Sequence, residues 1–165
     1  MRFDVEQRYA AAPDAVAAAY ADPALYGALP ETAKLGRPEV VGHEVDGSRV
    51  VLEVRYRFQG ELSSAVRAVV DPGRLTWVER TTHDLEQRTT TFVLLPDHYP
   101  DRLSSRGQLR VEADGTGSRR RGDGELKVRA PLVGGTVERT LVGDLRQHLA
   151  AEAQAVDAYL AGRTG

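Results

Sequence analysis

The sequence has no cysteine, and it has only one tryptophan and one methionine among its 165 residues. The lack of cysteine excludes disulfide bonds, thiolate metal ligands and a cysteine nucleophile. Lysine is scarce as well, since Lys34 and Lys127 are the only lysines and the other basic residues are arginines. The formal net charge of -2 leaves no overall positive field that would hold nucleic acid or an anionic membrane.

Long apolar runs are also missing. No segment approaches the roughly 18 consecutive apolar residues of a membrane span, and the opening segment MRFDVEQRY lacks the apolar core of a signal peptide. We therefore expect a cytoplasmic protein with no membrane span and no nucleic-acid partner. Hydrophobic residues at 41% and charged residues at 28% are ordinary for a soluble globular chain, so we predict a single domain over residues 1–165.

The N-terminal segment alternates apolar and polar residues with a period of two. Phe3, Val5, Gln7 and Tyr9 share one face, which predicts a half-buried first strand. The segment AAPDAVAAAYADPALYGALP follows, and its internal prolines lie where helices begin. The sequence therefore predicts two short helices after the first strand.

From Pro38 to Ala130 the period stays at two. Turn signals at Asp46-Gly47 and Asp114-Gly115 divide this region into short strands. The segment ELSSAVRAVV, residues 61–70, is interpreted as another strand that runs to a turn at Asp71-Pro72-Gly73. The region predicts an antiparallel meander of about six or seven strands joined by short turns.

The chain ends in a pattern typical of a long amphipathic helix over residues 136–160. Its apolar residues fall on one stripe, which needs a large apolar partner. The stripe contains Val137, Leu141, Leu145, Leu149, Val156 and Leu160. The fold class predicted is therefore α+β: a curved antiparallel sheet of about seven strands wrapped around a long C-terminal helix, with two short helices between strands 1 and 2.

This order of elements resembles the helix-grip fold of the START-like superfamily, also called SRPBCC. More narrowly, the segments RFDVEQRY and GELKVRAPLVGGTVE are similar to an actinobacterial family called domain of unknown function 2505. The resemblance covers nearly the whole chain, and its most specific motif, PLVGGTVE, carries no known chemistry. It implies the fold and a bacterial origin, and it implies no established activity.

The glycine pair Gly134-Gly135 lacks the features of a nucleotide-binding loop. A phosphate loop needs a Lys-Ser/Thr pair after its glycines, and a dinucleotide fingerprint needs three spaced glycines in a βαβ unit. We interpret the pair as the turn from the last strand into the helix, with Thr136 as the helix cap. The resemblance adds a further possibility, flexibility at a cavity mouth.

Two polar residues fall on or beside the apolar stripe of the predicted helix. His148 and Glu152 each lie within a small angle of Leu141, and Leu145 continues the same face. A carboxylate there is costly unless it is paired or the interior holds water or a ligand. The alternative is a glutamate at the edge of the stripe that reaches solvent.

The strands carry a second set of candidate residues. Trp77 should face inward and bring Glu79 and Thr81 to the same face. Three further residues of neighbouring strands complete the predicted ligand-binding set: Tyr56, Phe58 and Thr91. Polar positions on apolar strand faces are typical of a cavity with a few orienting groups, and also of strand ends that meet water.

Other motifs predict no chemistry. The four histidines His43, His83, His98 and His148 have no i,i+4 spacing, and no serine lies in a G-x-S-x-G motif, so we expect no metal, no cofactor and no serine hydrolase. The segment RRRGDG, residues 119–124, is interpreted as a solvated strand edge.

Three functions stay open. The first is binding of a small hydrophobic or amphipathic ligand, lipid or polyketide-like, between the sheet and the C-terminal helix, with aromatic contact area and polar orienting groups. The second, implied by the resemblance, is a cyclase or dehydratase that uses Glu79, His148 or Glu152 as general acid or base. The third, also implied by it, is a protein-interaction domain with a filled core.

Overall fold

The computed structural model describes residues 1–164. One antiparallel, curved sheet of seven strands has the spatial order β1-β7-β6-β5-β4-β3-β2. The strands are β1 Arg2–Tyr9, β2 Glu39–Asp46, β3 Arg49–Arg57, β4 Thr76–Asp84, β5 Thr89–Pro96, β6 Leu103–Asp114 and β7 Gly117–Val128. The helices are α1 Pro13–Tyr20, α2 Pro23–Ala28, α3 Ser64–Arg67 and α4 Gly134–Thr164, with a 3-10 turn at Pro72–Arg74. The predicted fold class is confirmed.

The period-two pattern of the sequence corresponds to the two faces of the sheet. In β1 the residues Phe3, Val5, Gln7 and Tyr9 are buried and the residues between them are exposed. In β3 every second residue from Val50 to Tyr56 is buried in the same way. These rows form the inner face of the sheet, which α4 covers.

Tight turns set the register of the hairpins. Gly47 between β2 and β3 has φ 59°, and Gly115 between β6 and β7 has φ 60°. The left-handed backbone that such turns require is easily adopted by glycine. Both predicted turns are confirmed.

The prediction of a strand over residues 61–70 was wrong. This segment contains α3 and a loop, and the Ser63 side chain accepts a hydrogen bond from the Val66 backbone N–H at 3.4 Å. A serine that caps a helix start in this way competes with an extended backbone. The connection between β3 and β4 is therefore longer than a hairpin turn.

The joint between β7 and α4 explains the need for glycine. A Cβ atom at Gly134 would lie 2.7 Å from the carbonyl oxygen of Val128, closer than side chains tolerate. The helix begins at Gly134, two positions before its predicted start at 136, so Thr136 lies inside the helix and is not its cap. The Thr136 hydroxyl instead accepts from Arg139 Nη2 at 3.3 Å.

Helix α4 packs most closely on β1 and β7, and also on α1 and α2. Its buried residues are Val137, Val142, Ala153 and Val156, while Leu141, Leu145 and Leu149 of the predicted stripe are half-buried. The helix therefore lies toward one side of the sheet, and the inner face of β4 and β5 has less helix above it. No helix within residues 1–164 is both long and apolar enough to cross a membrane.

The interior contains two apolar clusters. The first joins α1 and α2 to β3 and the end of α4, and it includes Tyr20, Leu25, Leu52 and Val156. The second joins β1, β6 and β7 to the start of α4, and its buried members are Phe3, Val5, Leu109, Leu126 and Val142. Buried polar side chains of the sheet, such as Gln7, His83 and Arg120, accompany these clusters.

Candidate functional site

A buried arginine is the centre of the polar interior. Arg120 lies on the inner face of β7, directly opposite Gln7 of β1, and its side chain is 7% exposed. Its Nη1 donates to Gln7 Oε1 at 2.9 Å. The Gln7 amide nitrogen in turn donates to the backbone carbonyl of Leu149 on α4 at 2.8 Å. Sheet and helix are thus joined through a pair of buried polar side chains.

Two tyrosines and a glutamate complete this network. The hydroxyls of Tyr9 and Tyr20 lie 2.6 Å apart, and Tyr20 donates to Glu152 Oε1 at 2.9 Å. The Arg120 guanidinium carbon stands 3.8 Å from the centre of the Tyr20 ring, a cation–π contact, and Nη1 is 3.7 Å from Glu152 Oε1. We call Gln7, Tyr9, Tyr20, Arg120 and Glu152 the Arg120 network.

The charges of the Arg120 network stabilise one another. Burial by itself would raise the pKa of Glu152, but the hydrogen bond from His148, the charge of Arg120 and the Tyr20 hydroxyl hold this pKa below its usual value. Burial raises the pKa of Tyr9 to about 12, so its hydroxyl stays protonated at neutral pH. The network is a neutralised ion pair surrounded by tyrosine hydroxyls.

A second set of inward side chains lies on β4. Trp77 faces Tyr56 across the β3–β4 pair, and their rings stack with centroids 6.0 Å apart and planes 21° from parallel. Two residues along, Glu79 stands between the inward Val54 of β3 and Leu94 of β5. Trp77, Glu79 and Leu94 are half-buried, in contrast to the fully buried Val54 and Tyr56.

Glu79 is the least partnered charged group of the interior. No hydrogen bond joins its carboxylate to another of residues 1–164, and the side chain keeps partial access to water. Burial, together with repulsion from Glu152, nonetheless raises its pKa to about 7. A group that is both desolvated and partly accessible is typical of the wall of a recess.

His148 of α4 links the Arg120 network, through Glu152, to the inward side chains of β4, through Glu79. Its Nε2 is 3.5 Å from Glu152 Oε2, while its Nδ1 is buried and has no hydrogen-bond partner within the described chain. Burial lowers the pKa of His148, but the hydrogen bond and charge of Glu152, with the charge of Glu79, raise it more, so the net shift is upward. The proton on Nε2 is therefore directed at Glu152.

These half-buried residues mark a candidate site, a proposed recess between the sheet and α4. The helix packs most closely on β1 and β7, away from β4 and β5. The half-buried side chains that we assign to its walls are Trp77, Glu79, Leu94, Leu145 and His148, and we call them the Glu79 recess. An aromatic and aliphatic wall with a few polar groups is typical of small-molecule sites.

The structure brings some of the predicted site residues together and places others elsewhere. Tyr56, Trp77 and Glu79 come together on the inner face, and His148 and Glu152 approach from α4. Leu141 and Leu145 lie on the same helix within the second apolar cluster. Phe58 lies one residue beyond the end of β3, and its ring is next to Gly60 and Lys34.

Thr81 and Thr91 have different surroundings from those expected. Thr81 is inward, as predicted, but it is buried and its hydroxyl lies 2.9 Å from Nε2 of His83. Thr90 Oγ1 lies 2.9 Å from the other ring nitrogen of His83. Burial lowers the pKa of His83 to about 4, so His83 is neutral and holds the two threonines together.

The placement of Thr91 on the inner face was wrong. Thr91 is exposed and pairs with Thr82 and Gln108 on the outer face, because Thr90 occupies the inward position of β5. Two open concavities of about 850 Å³ and 610 Å³ lie on this outer face. Their lining is rich in exposed charged side chains such as Asp4 and Asp123, unlike the aromatic inner wall.

Arg120 was missed by the sequence reasoning. The segment 119–124 is not a strand edge, since β7 lies between β1 and β6, and its second arginine is buried. The inward residues of this strand include Ser118, Gly122 and Gly124, so no apolar alternation marks its inner face. The signal that was available is Gln7, a polar residue on the otherwise apolar inner face of β1.

The geometry gives no metal centre. Within residues 1–164 no group of three or more His, Asp or Glu side chains is arranged to hold a metal ion. The polar interior offers hydrogen bonds, one arginine charge and two carboxylates whose pKa values are shifted in opposite directions. Such an arrangement can orient a polar group or transfer a proton.

A family model described as a protein of unknown function, DUF2505, matches residues 4–160. The chain belongs to this family. The family match therefore spans both the Arg120 network and the Glu79 recess, and the resemblance predicted from the terminal segments is confirmed. None of the curated proteins compared with this chain matches it.

Solved structures show the fold. The TTHA0849 protein from Thermus thermophilus is 17% identical, with a TM-score of 0.69 and full coverage of both chains, 100% and 100%. The Zhui aromatase/cyclase from a Streptomyces species is 16% identical, with a TM-score of 0.69, covering 100% of this chain and 96% of that one. The norcoclaurine synthase from Thalictrum flavum is 21% identical, with a TM-score of 0.61 and coverage of 97% and 86%. The fold is the START-like helix grip.

Proposed function

We propose that this protein binds a small hydrophobic or amphipathic molecule in the Glu79 recess. The apolar part of the ligand lies against Trp77, and its polar part faces Glu79 and His148. The observation that carries the proposal is that a half-buried carboxylate with no donor among the described residues, Glu79, lies beside a stacked aromatic pair. Aromatic side chains supply contact area, and a few polar groups fix orientation.

The Arg120 network supports the proposal by its completeness. Hydrogen bonds and an ion pair already join Gln7, Tyr20, Glu152 and Arg120 to one another. Polar side chains that are held in place in this way need less reordering when a ligand binds beside them, which favours a preorganised site.

The single tryptophan makes the proposal measurable. Binding of a small aromatic probe such as 4-phenylphenol should quench or shift the emission of Trp77, the only tryptophan of the chain. Native mass spectrometry should detect the same complex. Unchanged emission and no bound mass across hydrophobic and amphipathic probes would contradict the proposal.

A matched pair of variants tests the location. Leu145→Phe places a larger side chain on the half-buried face of α4, whereas Gln147→Phe makes the same replacement at an exposed position two residues away. We expect Leu145→Phe to weaken probe binding about tenfold or more, because it fills the recess. Equal affinities of the two variants would place the ligand elsewhere.

One observation favours a second candidate, acid–base catalysis by Glu79. Burial raises its pKa to about 7, close to neutral pH, while the pKa of nearby Glu152 is lowered. Carboxyl groups shifted apart in this way can act as separate acid and base. The names of the Streptomyces aromatase/cyclase and the Thalictrum norcoclaurine synthase are consistent with a fold that supports such chemistry.

This candidate predicts proton transfer to and from a bound ketone. In deuterated buffer, the methyl protons of 2-acetylnaphthalene should exchange faster with wild type than with Glu79→Gln, by about 100-fold if Glu79 is the base. The remote variant Glu86→Gln, in the exposed turn after β4, should exchange at the wild-type rate. Equal exchange with and without protein would rule this candidate out.

A further inference from the structure

The charges of the interior determine which polar group a ligand can bring. Arg120 is the only buried arginine or lysine within the described residues. One face of its guanidinium stacks on Tyr20, and its Nη1 is held by Gln7 Oε1 with Glu152 3.7 Å away. The permanent positive charge of the interior is therefore already taken by protein groups.

The groups that are left are the Glu79 carboxylate and one ring nitrogen of His148. The Glu79 carboxylate has no donor within residues 1–164, and the charged Glu152 lies close enough to repel it. His148 directs Nε2 at Glu152, which leaves only the buried Nδ1 without a partner. A carboxylate or phosphate in this recess would stand beside two glutamates, and the one imidazolium there, His148, is already paired with Glu152 through Nε2. Such like-charge contacts are costly.

We propose that the polar group of the ligand is an uncharged hydrogen-bond donor, a phenolic or alcoholic hydroxyl, and that the recess rejects carboxylates and phosphates. The hydroxyl donates to Glu79. This inference rests on the proposed function, because it takes the Glu79 recess as the place where the ligand lies.

The net charge supports the same conclusion. With Glu79 and Glu152 ionised and His148 and Arg120 protonated, the charges of the interior sum to zero. The buried tyrosines and His83 add no charge at neutral pH, since burial keeps the former protonated and the latter neutral. A neutral donor preserves this balance, whereas an anion needs an additional proton on Glu79 to restore it.

Two probes of equal shape separate the alternatives. Isothermal titration calorimetry at pH 8 compares 4-phenylphenol, which is neutral there, with biphenyl-4-carboxylate, which is charged. We expect the phenol to bind wild type at least about tenfold more tightly. Tighter or equal binding of the carboxylate would overturn the inference while leaving a binding function in place.

The variant Glu79→Gln should change the ratio. It removes one negative charge and the charged acceptor, so the phenol should bind less tightly, the carboxylate more tightly, and their ratio should narrow about tenfold. Glu86→Gln, exposed in the turn between β4 and β5, should leave both affinities unchanged. An unchanged ratio in Glu79→Gln would also overturn the inference. Binding of neither probe to wild type would contradict the proposed function itself, and the inference with it.

Discussion

The Arg120 network and the Glu79 recess both place charged groups inside the protein, but they differ in how these groups are partnered. In the network, Arg120 contacts Gln7, Tyr20 and Glu152. In the recess, Glu79 has no donor among residues 1–164, and His148 Nδ1 is buried without a partner. A satisfied polar group stabilises the fold, whereas an unsatisfied one costs stability and is available to a ligand.

The largest expected effect follows from breaking the network. Arg120→Met leaves the buried Glu152 with His148 as its remaining charge partner, so the free energy of unfolding should fall by about 3–5 kcal/mol. Urea denaturation measures it. The double variant Arg120→Met with Glu152→Gln should recover part of the loss, because no uncompensated charge remains. A free energy of unfolding of Arg120→Met within about 1 kcal/mol of the wild-type value would contradict a structural role for the network.

The second effect concerns the pH dependence of stability at Glu79. Its pKa rises from 4.5 to about 7 on folding, so between these values the folded chain keeps a proton that the unfolded chain has lost. The free energy of unfolding should therefore fall as pH rises from about 4.5 to about 7, and then level off. Relative to Glu79→Gln, the fall should amount to at most about 3 kcal/mol.

The difference between wild type and Glu79→Gln isolates this effect. The pKa of His83 falls to about 4 on folding, so its contribution to stability is lost in the opposite direction, as pH falls below about 6.5. His83 is present in both proteins, so this contribution cancels in the difference. Denaturation midpoints at pH 4.5, 5.5, 6.5 and 7.5 would measure the difference. A difference that does not depend on pH would mean that Glu79 is fully solvated.

A smaller effect is expected from one hydroxyl of the network. Tyr20→Phe removes the contact with Tyr9 and the hydrogen bond to Glu152, and should cost about 1–3 kcal/mol. Tyr99→Phe is the control, since its hydroxyl accepts an exposed bond from the Asp71 N–H and should cost little. Thermal unfolding compares the two. Equal costs would show that burial of the hydroxyl does not matter.

The sequence predicted the fold because most strands bury one apolar face. The alternation of β1 and β3, the glycine turns and the apolar stripe of α4 all agree on a sheet covered by a helix. The segment 61–70 failed because a serine cap and a short helix compete locally with an extended strand. Local hydrogen bonds of this kind have no periodic signal.

The site was harder to predict than the fold. The inward placement of Glu79, His148 and Glu152 was predicted because each interrupts an apolar face. That of Arg120 was not, since the inner face of β7 is occupied by small and polar residues. Which face of β5 turns inward also could not be read from its run of threonines, and Thr91 was assigned to the wrong one. Register and partner identity come from pairing with neighbouring strands.

The location of the ligand is the central claim, and the indole N–H signal of Trp77 tests it most directly. The chain has a single tryptophan, so a ¹H–¹⁵N spectrum contains one such signal. On titration with 4-phenylphenol it should shift saturably in wild type and in Gln147→Phe, and much less in Leu145→Phe. An unmoved indole signal, with shifts at the outer-face residues Thr91 and Gln108 instead, would contradict the claim.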